Sequence, residues 1–370
     1  MENALQPDAQ HIVVLGAGLM GRLLSWRLAV AGHRVELFDA GGPGAEKSAA
    51  RAAAAMLAPL AESAVTEPAV VQMGQYGLQR WPQLLAQLQS PVYFQQAGSL
   101  VLWHRQDAAE AAQFSRQLQA TCRSIAGLPQ PQALDAKGLA ALEPTIDARF
   151  TQGIYLPDEG QLDNHQLLQA LHQELQTLGV AMHWQTARDP QDFSPAPNSQ
   201  GQPQWVFDCR GVGAQVQWSQ VRGVRGEIIT LHAPEVKLSR PIRLMHPRYP
   251  IYITPKPNGI FLIGATQIES DDNSAVSVRS ALELLSAAYT VDSGFAEARI
   301  VNLVSQCRPA LPDNLPSVRW LGERMLQING LYRHGYLVAP AVLDAVLQLF
   351  ESGASALAET FSLKIETTTS

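Results

Sequence analysis

The 370-residue sequence contains only three cysteines, Cys122, Cys209 and Cys307, which are far apart and form no CxxC pair. An odd number of widely spaced cysteines provides neither a disulfide framework nor a set of zinc ligands. The nine histidines form no HExxH motif and no tight cluster. We therefore expect a protein without disulfides and without a metal.

Long apolar runs are also missing. A membrane-spanning helix needs about 18 or more apolar residues in succession, and the sequence has no such run. The first apolar segment, residues 12–15, is preceded by Glu2 and Asp8 and by no basic segment. This arrangement differs from a secretory signal peptide. The sequence therefore predicts a cytoplasmic protein without a membrane span.

Basic residues are outnumbered, since 27 lysines and arginines face 33 aspartates and glutamates, which gives a net charge of -6 and a pI of about 5.9. Binding to nucleic acid usually requires a strongly basic face, so no nucleic-acid partner is expected. Charged residues make up 16% and hydrophobic residues 46% of the chain, which is typical of a globular protein. At this length about two domains are expected.

The first forty residues contain a pattern typical of dinucleotide binding. A β-branched run, 11–15, is followed by Gly16-Ala17-Gly18-Leu-Met20-Gly21, a helical stretch and a second apolar run ending at Asp39. In such a βαβ unit the three glycines allow a tight turn, close approach of the backbone to a pyrophosphate, and close helix packing. The acidic residue at the end of the second strand is placed to accept hydrogen bonds from a ribose diol. A glycine-rich turn without a nucleotide is the alternative, and the motif alone does not separate FAD from NAD.

A glycine-rich loop and an alanine-rich run, 49–55, follow the fingerprint, and the high helix propensity of alanine predicts a helix there. Farther along, Asp163 is expected to cap a helix over 164–178. Two apolar runs, 251–254 and 260–263, predict a hairpin around Lys-Pro-Asn-Gly. A helix is expected over 339–350, and the polar residues 364–370 are expected to be frayed.

Several long strings carry a resemblance to the ThiO, or glycine oxidase, branch of the D-amino acid oxidase superfamily. They cover most of the chain and are AAAAMLAPLAESAVTEPAVVQMGQYGLQRW (52–81), VRGVRGEIITL (221–231), LSRPIRLMHPRYPIYITPKPNGIFLIGATQIES (238–270), RPALPDNLP (308–316) and NGLYRHGYLVAPAVL (329–343). The resemblance implies an α/β fold with a Rossmann-type FAD-binding domain of the GR2/DAO-like kind. A second domain with a mostly antiparallel β-sheet would bind the substrate.

The family implies that both domains are discontinuous. The FAD-binding domain is expected from residues 1–85, 150–215 and 306–370, and the substrate domain from residues 86–149 and 216–305. Non-covalent FAD is the expected cofactor. Covalent attachment through Cys307 is a weaker alternative, because a buried cysteine is ordinarily a small apolar residue. The residues expected to contact FAD are Gly16, Ala17, Gly18, Met20, Gly21, Asp39, Ala55, Met56, Val180, Gly211, Arg333, His334, Gly335, Tyr336 and Leu337.

Three residues are candidates for the catalytic site. Arg308, in Cys-Arg-Pro-Ala, matches the family arginine that binds the substrate carboxylate, and the planar guanidinium fork suits a carboxylate. Tyr252, in Tyr-Ile-Thr-Pro, is expected to hold the same carboxylate, and Arg333, in Tyr-Arg-His-Gly, is expected near the flavin and substrate. A salt bridge for either arginine and a packing role for the tyrosine are the alternatives. His334 is interpreted as a structural histidine rather than a base.

The resemblance implies oxidation of a small amino acid, with glycine as the first candidate, by hydride transfer to flavin. O2 would be the acceptor and give hydrogen peroxide, and the imine would enter synthesis of the thiazole ring of thiamine. Oxidation of sarcosine or a D-amino acid is one alternative. Another is a flavoprotein that modifies a protein partner during maturation of a protein-derived quinone cofactor, and a flavin-binding scaffold without turnover is a third. A homo-oligomer is possible.

Three positions depart from the family pattern. Ala54 and Ala55 stand where relatives carry glycine beside the flavin, and Gln267 stands where relatives often carry methionine. The departures are compatible with FAD binding. They affect the shape of the active site, and for this reason the sequence leaves the choice among substrates open.

Overall fold

A computed structural model describes residues 9–197 and 201–367. Its helices are α1 (Leu19–Val30), α2 (Pro59–Glu62), α3 (Pro68–Leu85), α4 (Ala108–Ser124), α5 (Ala136–Leu142), α6 (Asn164–Thr177), α7 (Val278–Val291), α8 (Gly335–Ser352) and α9 (Ala356–Thr360). Its first strands are β1 (His11–Leu15), β2 (Arg34–Phe38), β3 (Met56–Leu57), β4 (Phe94–Gln95), β5 (Ser99–Leu102), β6 (Gln132–Asp135), β7 (Gln152–Leu156), β8 (Gly160–Leu162), β9 (Ala181–His183) and β10 (Trp205–Asp208). The later strands are β11 (Arg222–His232), β12 (Ile242–Leu244), β13 (Ile251–Lys256), β14 (Ile260–Gly264), β15 (Ile268–Glu269), β16 (Arg299–Ala310), β17 (Ser317–Gly322), β18 (Met325–Asn329) and β19 (Lys364–Thr367).

The fingerprint lies at the centre of a seven-stranded sheet with the order β19-β17-β18-β10-β1-β2-β9. All neighbouring strands are parallel except β17 and β18. One large apolar core packs α1, α3, α6 and α8 on this sheet, with Trp26 and Trp81 fully buried in it. This is the Rossmann-type half that the βαβ pattern predicts.

The turn between β1 and α1 depends on its glycines. Gly16 has φ +89°, and a Cβ there would lie 2.8 Å from the Cα of Arg210. A Cβ on Gly21 would lie 1.7 Å from the carbonyl oxygen of Gly16. These two positions cannot carry a side chain without moving the strand or the helix.

A nine-stranded sheet forms the second half of the molecule, with the order β15-β11-β14-β13-β12-β5-β7-β6 and β16 paired with β11. Its pairings are antiparallel apart from β12 with β5. The predicted hairpin is confirmed as β13 and β14, and Asn258 takes φ +62° in the connecting turn. A separate apolar core packs α7 on this sheet. The mostly antiparallel second sheet is thus confirmed.

The alanine-rich run is not a helix, and that prediction is wrong. Residues 49–55 form turns and irregular backbone, and Ala55 takes φ +52°. Side chains from distant segments hold its carbonyl groups: Asn164 donates to Ala50 and Arg51, and Tyr336 also donates to Ala50. These tertiary hydrogen bonds compete with the helical ones, and helix propensity is too weak to prevail.

The end of the described chain is also more ordered than expected, because β19 pairs in parallel with β17. The prediction of fraying is therefore wrong for residues 364–367, and residues 368–370 lie outside the described part. The helix α6 begins after Asp163, whose side chain accepts a hydrogen bond from the backbone of Gln166, as predicted.

The division into two discontinuous domains stays a prediction. The seven-stranded sheet takes its strands from 11–38, 181–208 and 317–367. Strand β7 lies beyond the expected boundary at residue 150, yet it pairs with β5 and β6 in the nine-stranded sheet. Strand β16 crosses the boundary expected at residue 306.

None of the helices formed by residues 9–197 and 201–367 combines the length and the apolar character that crossing a bilayer requires.

Candidate active site

A cavity of about 470 Å³ extends from the β1–α1 turn to the nine-stranded sheet. Its walls come from segments that are far apart in the sequence. Of the residues singled out from the sequence, those that line it are Gly16, Gly18, Met20, Asp39, Ala54, Ala55, Met56, Gly211, Tyr252, Gln267, Cys307, Arg308, Arg333, His334, Gly335, Tyr336 and Leu337. The fold therefore gathers most of the expected FAD contacts and all three candidate catalytic residues around one space.

Three of the expected FAD contacts lie outside the lining. Ala17 and Gly21 belong to the fingerprint turn itself, where they support the residues that line the cavity. Val180 lies in the apolar core, and its backbone N–H donates to the carbonyl of Leu175. Ala187 and Arg188, which were not singled out from the sequence, follow strand β9 and line the cavity.

Asp39 holds the fingerprint turn in shape. Its carboxylate accepts hydrogen bonds from the backbone N–H of Ala17 at 2.5 Å and of Gly41 at 2.6 Å. The side chain is partly exposed and lines the cavity. Each carboxylate oxygen can accept a further bond, so these contacts are compatible with the ribose role expected for it.

The alanine-rich run forms the wall beside Met56, and Lys256 supports it from behind. The buried Lys256 ammonium donates to the carbonyls of Ala54 at 3.0 Å and Leu162 at 2.7 Å, and to the side chain of Gln161 at 3.0 Å. Burial lowers the pKa of Lys256 to about 7. Its three acceptors take up all three N–H bonds of the ammonium form, so these contacts favour the protonated side chain against the effect of burial.

The start of α8 forms the opposite wall. A short helical turn over Tyr332–His334 runs directly into α8 at Gly335. The first N–H groups of a helix have no partner inside the helix and carry partial positive charge. The Tyr336 hydroxyl donates to Ala50, so this wall is joined to the alanine-rich run.

Glu62 is the centre of a buried polar cluster on the cavity wall. Arg333 donates to Glu62 at 2.6 Å, and the Tyr252 hydroxyl donates to it at 2.5 Å. Nδ1 of His334 lies 3.5 Å from the carboxylate and the guanidinium of Arg243 lies 3.6 Å from it. The Tyr252 hydroxyl has a single proton, which is committed to Glu62, so in this arrangement it is not available to a substrate carboxylate.

The charges of this cluster follow from its contacts. Burial acts to raise the pKa of Glu62, but Arg333, His334 and Arg243 outweigh it and hold the pKa at about 2. Burial lowers the pKa of His334 to about 4 and raises that of Tyr252. At neutral pH the cluster therefore contains an ionised Glu62, a neutral His334 and a neutral Tyr252.

Arg333 has partners for both of its terminal nitrogens. One donates to Glu62 and to the Tyr252 hydroxyl, and the other donates to the side-chain oxygen of Gln267 at 3.3 Å. The amide nitrogen of Gln267 donates in turn to the Tyr332 hydroxyl at 2.5 Å. Gln267, which departs from the family pattern, is thus part of the site.

Arg308 lines the same cavity in a different environment. It donates to the carbonyl of Thr266 at 3.1 Å, and within residues 9–197 and 201–367 no carboxylate lies within ion-pair distance of it. Burial lowers the pKa of Arg308 to about 10, which leaves it positively charged at neutral pH. The guanidinium is therefore a cation without an internal counter-ion.

The thiol of Cys307 does not behave as a reactive group. It donates to the carbonyl of Ser270 at 3.2 Å, and burial raises its pKa. A raised pKa disfavours the thiolate that covalent chemistry requires. This agrees with a non-covalently bound flavin.

Sequence analysis missed three residues of this region. Glu62 and Arg243 belong to the polar cluster, and Glu159 lies behind it, where it accepts from the backbone of Ala61 at 2.7 Å. The signal for Glu62 is an isolated acidic residue in the otherwise apolar run MLAPLAE. Buried carboxylates are nearly always paired, so a charge in such a run indicates a partner elsewhere in the chain.

The residues present fit FAD. The close turn at Gly16 and Gly21, which a Cβ would fill, brings the backbone to the cavity in the manner a pyrophosphate requires. The alanine-rich run has small side chains, and the start of α8, which also lines the cavity, supplies N–H groups. The glycine turn would hold the pyrophosphate of the dinucleotide, and the alanine-rich run and the start of α8 would hold the flavin ring.

The chain is similar to several known proteins. The model of the DAO family, described as FAD-dependent oxidoreductase, matches residues 11–347. A protein of Rhizobium etli named as a thiamine biosynthesis oxidoreductase, ThiO, is 38% identical over 343 residues, covering 91% of this chain and 95% of that protein. A glycine oxidase of Geobacillus kaustophilus is 26% identical over 92% of both chains. The crystal structure of glycine oxidase from this organism superposes with a TM-score of 0.80 at 24% identity, over 96% of this chain and 98% of that one.

Proposed function

The chain belongs to the family of FAD-dependent oxidoreductases, and from this premise we propose that it oxidises a small amino acid, with glycine as the first candidate. The observation that carries the proposal is Arg308. It is a cation on the cavity wall whose hydrogen bond goes to a neutral carbonyl, and among the described residues no carboxylate pairs with its charge. The carboxylate of the substrate would form an ion pair with the Arg308 guanidinium.

The residues around the cavity have separate roles in this proposal. Arg308 binds the substrate carboxylate and thereby orients the amine-bearing carbon. FAD, when bound, would supply the oxidising chemistry, which is uptake of a hydride from that carbon, with O2 as the proposed final acceptor. Tyr252, Glu62 and Arg333, which are hydrogen bonded to one another, form the wall beside the substrate.

The protons of the site support a mechanism with little acid–base catalysis. Glu62 has too low a pKa to accept a proton near neutrality, and Tyr252 has too high a pKa to release one. His334 is buried and neutral near neutral pH, and its Nδ1 lies 3.5 Å from the Glu62 carboxylate. We propose that the amine reaches the site unprotonated or loses its proton to water, while the chain contributes position and charge.

The proposed role of the reaction in metabolism is supported by the similar ThiO protein. The ThiO protein of Rhizobium etli is named for thiamine biosynthesis and matches nearly the whole chain. This supports a role in which the imine formed here enters synthesis of the thiazole ring. A cytoplasmic location is proposed on the same basis, and association into a homo-oligomer stays a prediction.

The test is anaerobic mixing of the purified yellow protein with glycine, sarcosine and D-alanine, following the visible absorbance of the flavin. Rapid bleaching by glycine is the expected result. Faster bleaching by sarcosine or D-alanine would make that amine the proposed substrate in place of glycine and leave the proposed reaction type unchanged. If no amine bleaches a flavin that dithionite still reduces, the proposal fails and a protein substrate becomes the next candidate.

A further inference from the structure

The two arginines of the cavity are not equivalent. The charge of Arg333 is matched by Glu62 at 2.6 Å, and the side chains of this pair are only 16% and 10% exposed. Arg308 has no such partner within the described part of the chain. Arg243 also lies 3.6 Å from Glu62, but it is not part of the cavity lining. Among the described residues, Arg308 is therefore the arginine of the lining whose charge is left for the single carboxylate of an amino acid.

Glu62 also places a negative charge on the cavity wall. A second carboxylate approaching Arg333 would have to meet Glu62 and displace it from a pair that is already desolvated and hydrogen bonded. Like charges at close range in a partly buried site repel strongly, and a specific site often rejects a wrong ligand by such repulsion. The neutral Gln267 on the other side of Arg333 adds no charge that could compensate.

We propose that Glu62 is an internal counter-ion that restricts the site to substrates with a single carboxylate, and that Arg333 becomes a second carboxylate-binding group once this pair is broken. This inference rests on the proposed function in one respect, because Arg308 must hold the first carboxylate. Glu62 acts here as a specificity-determining residue through Arg333.

The experiment measures binding of acetate, malonate and succinate to the purified yellow protein, read from the shift of the flavin absorbance bands. These acids have one or two carboxylates and no amine to oxidise. The quantity compared is the ratio of the Kd for acetate to the Kd for the tighter of the two diacids. In the unaltered protein we expect a ratio of about one or less.

Glu62→Gln keeps the shape of the side chain and removes its charge. We expect the ratio to rise at least about tenfold, since hydrogen bonds to a charged group contribute roughly 1.5–3 kcal/mol and each 1.4 kcal/mol is tenfold in Kd. The double variant Glu62→Gln, Arg333→Met should lose this gain. Glu269→Gln is the matched control, because Glu269 pairs with Arg222 outside the cavity lining, and its ratio should equal that of the unaltered protein.

An unchanged ratio in Glu62→Gln overturns the inference, and so does a gain that persists without Arg333. If Glu62→Gln does not retain flavin, the unaltered protein decides, because a diacid that binds it tenfold tighter than acetate is incompatible with the inference. Failure of the proposed function has a different signature. In that case acetate does not perturb the flavin of the unaltered protein and glycine does not bleach it.

Discussion

At the scale of single residues, the two guanidinium groups of the site lie on the same cavity and differ in their hydrogen-bond partners. Both line one cavity, but Arg333 is hydrogen bonded to Glu62, Tyr252 and Gln267, whereas Arg308 contacts the carbonyl of Thr266. From the sequence, Arg308 was the first choice for the substrate carboxylate, and Arg333 was expected near the flavin and substrate. The difference in their partners depends on Glu62, which is 246 positions from Arg308 in the sequence.

Replacing Arg308 by Met should leave FAD bound and raise KM for the amino acid by roughly 10- to 100-fold, with a smaller effect on kcat. The reason is the loss of charged hydrogen bonds worth about 1.5–3 kcal/mol to the carboxylate. Steady-state kinetics measure both constants. Arg299→Met changes an exposed arginine of the same strand and should leave KM unaltered. An unaltered KM in Arg308→Met would remove Arg308 from the carboxylate role.

At the scale of elements, the position of Arg308 depends on the neighbouring strand. Strand β16 pairs with β11 along its length, with Arg308 opposite Val224. The guanidinium lies over Gly226, where a Cβ would be 2.2 Å from its central carbon. A glycine in the interior of a strand often marks a close approach of another group, and here that group is the proposed substrate anchor.

Gly226→Ala should therefore reproduce much of the Arg308 defect without altering any charge. The added methyl group must push the flexible end of Arg308 out of its position, so KM should rise at least several-fold while the melting temperature changes little. Gly322→Ala is the control, since a Cβ there meets no atom within 4 Å. A normal KM in Gly226→Ala would show that the guanidinium works from another position.

The alanine-rich run shows how an element can be decided by its surroundings. Its composition favours a helix, but the folded chain supplies the side chains of Asn164, Tyr336 and Lys256 as donors to its carbonyls. A helix would have withdrawn these carbonyls into its own ladder. The irregular backbone instead presents the small residues to the cavity, where the proposed flavin site lies.

At the scale of the whole molecule, Glu159 joins three segments beneath the site. Its carboxylate accepts from the Ser99 hydroxyl at the start of β5 and from the backbone of Ala61 in α2, next to Glu62. Burial raises the pKa of Glu159 from its usual value of 4.5 to about 7, against smaller opposing effects of its hydrogen bonds. Between about pH 4.5 and pH 7, Glu159 is therefore protonated in the folded protein and ionised in the unfolded chain.

This difference predicts a pH dependence of stability. A raised pKa in the folded state means that the contribution of Glu159 is full below about pH 4.5 and is lost as the pH rises to about 7. Glu159→Gln resembles the protonated side chain and does not titrate. The variant should match the unaltered protein at pH 4.5 and exceed it in free energy of unfolding at pH 8, as measured by urea denaturation. Glu297→Gln, at an exposed position, should show no such difference, and a pH-independent offset for Glu159→Gln would contradict the assignment.

Local patterns in the sequence were sufficient to predict a large part of this molecule. The fingerprint turn, α6 after Asp163 and the β13–β14 hairpin depend on contacts between near neighbours, and the structure confirms them. The resemblance added the two-sheet fold and FAD as the cofactor. Arg308, Tyr252 and Arg333 were recognisable as candidates because they stand at matching positions of the family motifs, and because a carboxylate substrate calls for an arginine.

Only the tertiary structure decided how these residues are paired. Glu62 and Arg333 form an ion pair across segments far apart in the sequence, and distant side chains also set the shape of the alanine-rich run. Arg308 contacts the carbonyl of Thr266 and has no carboxylate partner among the described residues. Residue type determines which contacts a side chain can make, and local periodicity determines helices and strands. The partner of a buried charge, and therefore its pKa and its availability to a ligand, depends on which distant segment the fold places within a few ångströms of it.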